Sequence, residues 1–242
     1  CWRLYEIALD TTNYANSTIR NLTPNVDYDC IDACYRPDGH IIFTANRSGT
    51  LNEYEMQLNE LLHVMDPNAD DPSSTIRQIS FFQSGDYNPM ILNNGRLLWM
   101  RYEHHGIQDY FPLMVSRPDG TFVEEIFGLK NSGYNLSNNK DNVRVYFEFT
   151  QLPEPDSRII STAMWHFYTW EAGSLVEVDP LKGPTDFKPP RKFTPSIETS
   201  AHASPVGRFR TPYACKIGDE TVILAAYSHG PVSSVSGSSA SA

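Results

Sequence analysis

No C-x-x-C pair occurs in this 242-residue chain, and no C-x-x-C-H. The chain therefore has no means of attaching a c-type haem of its own, and it lacks a thioredoxin-type redox pair. A glycine-rich phosphate loop, a G-x-S-x-G elbow and an H-E-x-x-H helix are missing as well, so none of the short motifs for nucleotide, acyl-transfer or zinc-protease chemistry is present. Basic residues are in deficit: 19 Lys and Arg stand against 29 Asp and Glu, giving a net charge of -10 and a pI near 5.1. Duplex nucleic acid and anionic membrane both demand a basic surface, so neither is the expected partner. No apolar run approaches the ~18 residues of a transmembrane helix, and no transmembrane segment is expected.

What the chain does contain is a repeated strand-turn-strand unit. With 40% hydrophobic and 12% aromatic residues it can bury a sizeable core. Arg36 to Gly49 reads RPDGHIIFTANRSG. Pro37 presets φ and Gly39 tolerates a positive φ, which lets one strand reverse into the next. Ile41, Ile42, Phe43 and Thr44 then suit a strand buried on both faces. The unit recurs: STIR at Ser17 returns at Ser74, a step of 57, and PDGHIIF around Gly39 answers NNGRLLWM around Gly95, a step of 56. LHVMDP from Leu62 resembles LVEVDP from Leu175, 113 residues on and close to two steps. Three phases with one period predict an all-β chain, a β-propeller of four-stranded antiparallel blades with about four blades' worth present. The repeat exceeds the ~40–45 residues of the commonest propeller blade, so some connections must be long. Gly39 is expected to superpose on Gly95, and Ile19 on Ile76.

On this period residues 1–230 are propeller. Trp2–Leu9 and Ile19–Leu22 read as the outer strands of one blade, and Ala33–Ser80 as a complete one. Another runs from about Tyr87 to Phe127 and a third from about Val143 past Val178. Pro212–Cys215 and Val222–Tyr227 read as the inner strands of a last blade. The half at the start complements the half at the end, so either the chain is part of a larger propeller or its two halves pair to close a ring. Lys182 to Ser204, with Lys-Gly-Pro and Pro189-Pro190, reads as a long surface excursion, and residues 231–242 as a flexible serine-rich tail.

Candidate chemistry lies in two places. Cys30 and Cys34, with Asp29 and Asp32 interleaved, offer thiolate and carboxylate to a metal such as zinc; the alternative is a disulfide or a pair of partly buried thiols. Cys215 falls in the equivalent strand of the last blade and reads as core. His104, His105 and His166 follow strand ends and would serve a metal or an acid-base pair if their loops met on one face of the propeller. Against this, neighbouring residues on a strand point to opposite faces, and strand ends are often solvated. Cys1 is a candidate lipidation site, although a strand begins directly after it. N-x-S/T sequons stand at Asn16, Asn21, Asn46 and Asn135.

RPDGHIIFTANRSG resembles the repeat of TolB-type propellers. YDCIDACY from Tyr28, then RPDGHIIFTANR, NNGRLLWMRYEHHG, RPDGTF and GSLVEVDPLKG, resemble in content and order the propeller region of hydrazine synthase alpha-like proteins. The resemblance extends from about Trp2 to Tyr227. It implies a periplasmic or otherwise exported multidomain protein whose propeller is flanked by domains carrying c-type haem and assembles with other haem subunits; in the synthase itself the complex makes hydrazine from nitric oxide and ammonium. It also makes Cys30 and Asp29 the first candidates for a metal or haem-edge contact, with Cys34, His104, His105 and His166 behind them. Three readings follow: a non-catalytic scaffold docking haem domains or partner subunits, a TolB-like envelope module binding a protein or glycan, and a metal-dependent enzyme built on the histidine and cysteine loops.

Overall fold

A computed structural model describes residues 1–53, 56–105, 108–128, 145–164, 172–182, 191–197, 199 and 204–232. Strands β1 (Tyr5–Ala8) and β2 (Thr18–Asn21) pair as an antiparallel half-blade. The second blade is β3 (Cys30–Tyr35), β4 (Ile41–Ala45), β5 (Leu61–Met65) and β6 (Arg77–Gln78), neighbours in chain order. The third holds β7 (Gly85–Ile91), β8 (Leu97–His105), β10 (Leu113–Ser116) and β11 (Glu124–Phe127), with β9 (Gln108–Tyr110) pairing only the far end of β8. The fourth is β12 (Val145–Gln151), β13 (Ile159–Met164), β14 (Ser174–Val178) and β15 (Arg191–Lys192), and β16 (Gly207–Ile217) pairs β17 (Glu220–His229) as a last half-blade. The result is an all-β, propeller-like chain. No helix among the described residues is long and apolar enough to cross a membrane.

The core lies between the blades. Ile41, Phe43 and Ala45 of the second blade pack with Leu4 and Leu22; Ile42, Leu62 and Val64 on its other side pack with Leu97 and Trp99 of the third. Because both faces of each middle strand are covered by a neighbouring blade, β4, β5, β10 and β13 are buried at every position. That burial is why IIFTA and LLHVM show no polar alternation.

The glycine corners match as their sequences predict. Gly39 (φ +87) and Gly95 (φ +79) close identical turns, with Gly39 N–H on the Arg36 carbonyl at 3.0 Å and Gly95 N–H on the Leu92 carbonyl at 2.8 Å. Gly120 repeats that turn between the third and fourth strands of its blade.

Ile19 and Ile76 do not match. Ile19 lies within β2 opposite Ile7 and is 68% exposed, whereas Ile76 precedes β6 and is 5% exposed. The Asp10 N–H bonds Ser17 Oγ at 3.1 Å and the Asp66 N–H bonds Thr75 Oγ1 at 2.9 Å, so the same turn takes two more residues in the second blade. The register is thereby displaced, and Gln78, opposite His63, occupies the place of Ile19.

The surface excursion is also partly structural. Arg191–Lys192 pairs with Val176 and Glu177 as the fourth strand of its blade, and Ile197, Thr199 and Ser204 are buried. The two half-blades stand as separate sheets, so among the described residues they do not close a ring through strand pairing. Each keeps an exposed apolar face: Tyr5, Ile7 and Ile19 on the first, Tyr213, Ile217 and Leu224 on the last.

Candidate functional site

The innermost strands carry a feature with no obvious sequence motif. Asp32, Asn88, Glu148 and Thr211 all adopt positive φ, between 50 and 53 degrees, and each sits where its strand holds one residue more than its partner. These are β-bulges, a conformation that Asp and Asn accept more readily than Glu or Thr. The strain is offset by contacts between blades. Asn88 N–H donates to Asp32 Oδ2 at 3.3 Å, Glu148 N–H to Asn88 Oδ1 at 3.2 Å, and Thr211 N–H to Glu148 Oε2 at 2.6 Å. Arg210 Nε adds an ion pair to Glu148 Oε1 at 2.9 Å. A row of side-chain-to-backbone hydrogen bonds thus ties each inner strand to the next.

This row decides the fate of the cysteine segment. An extra residue in a strand inverts the alternation beyond it. Cys30 lies opposite Ala45 and joins the core against the first half-blade, whereas Cys34 lies opposite Ile42 and faces the third blade. Without the bulge the two would share a face. Both are free thiols, and burial pushes Cys30 up to about 11 and Cys34 up to about 12. The Ile91 backbone N–H beside Cys34 offsets part of that burial, and one interface further on Thr150 Oγ1 accepts the Ala214 N–H at 3.0 Å. Asp29 accepts the Trp2 N–H at 2.6 Å and exchanges hydrogen bonds with Asn46, and Asp32 belongs to the axial row. Asp29, Cys30, Asp32 and Cys34 do not converge. Among the described residues no three His, Cys, Asp or Glu side chains are grouped to hold a metal ion.

His104 stands near the end of β8, where the Tyr102 hydroxyl lies 3.4 Å from its Nδ1 and Asp109 of β9 is its strand partner. His105 ends β8 opposite Gln108, and His166 lies outside the described residues. Cys215 sits in β16 opposite Val222.

Sequence reasoning missed the most unusual polar group. Asp86 is fully buried; its Oδ1 accepts from Trp99 Nε1 at 2.7 Å and from Arg101 Nε at 2.8 Å, and its Oδ2 accepts from Arg101 Nη2 at 3.2 Å. Asp86 and Arg101 are strand partners. The corresponding pairs are Cys30 with Ala45, Tyr146 with Ala163 and Phe209 with Tyr227. One blade therefore holds a buried ion pair where the others hold apolar contacts. A charged residue two places before Asn88, where Cys30 precedes Asp32, was the available signal.

No family profile matches the chain, and no curated protein matches it. Among solved structures it is similar to the hydrazine synthase of Kuenenia stuttgartiensis, with a TM-score of 0.59 and 14% identity over 95% of this chain and 37% of that one. It also matches an oligogalacturonate lyase of Vibrio parahaemolyticus, with a TM-score of 0.49 and 13% identity over 95% of this chain and 54% of that one. At these identities the likeness to the synthase concerns the fold. The chain spans about a third of the synthase chain it matches and about half of the lyase.

Proposed function

We propose that this chain is the propeller scaffold of an exported, hydrazine synthase alpha-like multidomain protein, on which haem-bearing domains or partner subunits dock. The observation that carries this reading is the pair of open apolar faces at the two ends of the arc, Tyr5, Ile7 and Ile19 at one and Tyr213, Ile217 and Leu224 at the other. Each is an apolar sheet face of the kind that packs between blades, and a packed neighbour would bury it favourably at about 25 cal/mol per Å² of apolar surface. The axial row of hydrogen bonds supports the same reading, because it holds the blades in fixed relation and a rigid arc is what a docking platform requires. Any c-type haem would be held outside these 242 residues, in partner subunits or in flanking domains, since no C-x-x-C-H occurs within them.

The test is the native mass of the chain purified from the bacterial periplasm, together with the haem absorbance of what co-purifies. A complex containing haem protein is the expected result. A stable monomer that turns over nitric oxide and ammonium without any haem partner would overturn the scaffold reading.

A further inference from the structure

Between the second and third blades the packing is incomplete. A cleft of about 240 Å³ separates them, with Leu62, Ile79 and Phe81 on one wall and Leu97, Trp99 and Arg101 on the other. Leu97, Trp99 and Arg101 alternate along β8 and so share one face. Two of these three side chains are held by Asp86, which bonds the Trp99 indole and two nitrogens of the Arg101 guanidinium. Phe82 lies over the guanidinium plane, 4.1 Å from its central carbon to the ring centroid. Arg101 Nη1 makes no hydrogen bond with any described residue, and Arg101 lines the cleft. A buried ion pair is commonly no more stabilising than an apolar pair of the same volume, and the equivalent positions of the other blades are apolar. Stability alone gives no reason for a charge here; a preorganised donor does.

The chemistry of the cleft restricts its occupant. Asp86 cancels the charge of Arg101, so the cleft offers a hydrogen-bond donor with little net charge, and a carboxylate placed on Nη1 would be repelled by Asp86. Apart from Arg101, its walls are mostly aliphatic and aromatic, completed by Ser80, Ser116 and Gly120. Its volume falls below the ~300–1,000 Å³ of pockets for drug-sized ligands. The rim continues onto exposed apolar surface, with Phe81 at 79% and Val123 at 45% exposure; a small solute would leave that rim in water, whereas a polypeptide would cover it. We propose that this cleft is an anchoring pocket for one aromatic side chain of a docking polypeptide, with a backbone carbonyl of that polypeptide accepting from Arg101 Nη1. The pocket rests on the scaffold reading above and adds the identity of its contact. Anchors of this kind, a large side chain in a desolvated pocket beside an arginine, dominate many protein interfaces.

The probe is N-acetyl-phenylalanine amide, added to the 15N-labelled chain while the Trp99 indole N–H and Arg101 Nε–H resonances are followed. Saturable shifts of both are expected, with binding at least tenfold weaker for N-acetyl-phenylalanine carboxylate and no shift for N-acetyl-alanine amide. Val123→Trp fills the rim without touching the ion pair and should abolish the shifts. Replacing Asp86 and Arg101 together by the cysteine and alanine found at Cys30 and Ala45 should preserve cooperative unfolding and weaken probe binding at least tenfold. Resonances that stay in place up to the solubility limit of the amide would overturn the proposal, and so would equal binding of the carboxylate or unchanged binding in Val123→Trp. Haem-protein complexes that form equally well with Val123→Trp would remove the pocket and leave the scaffold; probe binding without any complex would do the reverse.

Discussion

His63 is 1% exposed in the middle of β5 and stacks on Phe43 with ring centroids 5.9 Å apart. Its Nδ1–H donates to the Leu61 carbonyl at 2.9 Å, while Nε2 is buried without a partner. Protonation would place an N–H and a charge on that unpartnered edge, with the Arg47 cation close enough to oppose it. Burial, the larger cause, and Arg47 together lower the pKa from 6.5 to about 4. The unfolded chain therefore binds a proton that the folded chain refuses, and stability falls as pH drops through the window from 6.5 to about 4. The full difference corresponds to about 3 kcal/mol, and roughly 2 kcal/mol of it is lost between neutral pH and pH ~5. Above the unfolded value the contribution is complete. Urea unfolding of the wild type and of His63→Phe, which keeps the stack and cannot titrate, measures the effect. The wild type should lose about 2 kcal/mol more than the variant on going to pH ~5, at constant m-value. Parallel losses in the two proteins would refute the assignment.

Three further substitutions test the architecture. Asn88→Ala removes the acceptor of the Glu148 N–H and places a Cβ residue without polar compensation at φ 51, so it should cost about 1–3 kcal/mol in denaturant unfolding. Asn88→Gly relieves the strain and should cost less; a glycine variant weaker than the alanine one would argue against the bulge as the source. Gly120→Ala would bring a Cβ to 2.0 Å from the Ile79 carbonyl oxygen, whereas at Gly39 nothing lies within 4 Å. Thermal unfolding should show the former losing several-fold more than the ~1 kcal/mol expected for positive φ alone at Gly39→Ala. Asp86→Ala leaves Arg101 without its carboxylate and should cost about 3–5 kcal/mol, while the double replacement by the cysteine-alanine pair, which leaves no unpaired charge, should cost less than Asp86→Ala by the same urea assay.

The sequence by itself determined the blades. Strand order and antiparallel pairing follow from buried runs such as IIFTA and LLWM separated by glycine corners, because local turn geometry and the burial of both faces are encoded residue by residue. Where a signal was local, as at Gly39 and Gly95, expectation and structure agree. Where it required counting across a variable connection, as at Ile19 and Ile76, two extra residues in one turn displaced the match. Arg191–Lys192 has no sequence signature, because a two-residue strand carries no periodicity.

The candidate sites depended on the tertiary structure. Nothing in CIDAC announces that an extra residue at Asp32 turns Cys30 and Cys34 to opposite faces, since a bulge is defined only against the partner strand. Asp32, Asn88, Glu148 and Thr211 share no residue type, and become a row only when the blades bring their backbones into contact. Asp86 and Arg101 likewise are an ordinary carboxylate and an ordinary guanidinium in the linear chain. Packing between two blades removes them from water, pairs them, and leaves one edge of the guanidinium facing a cleft that neither strand contains alone.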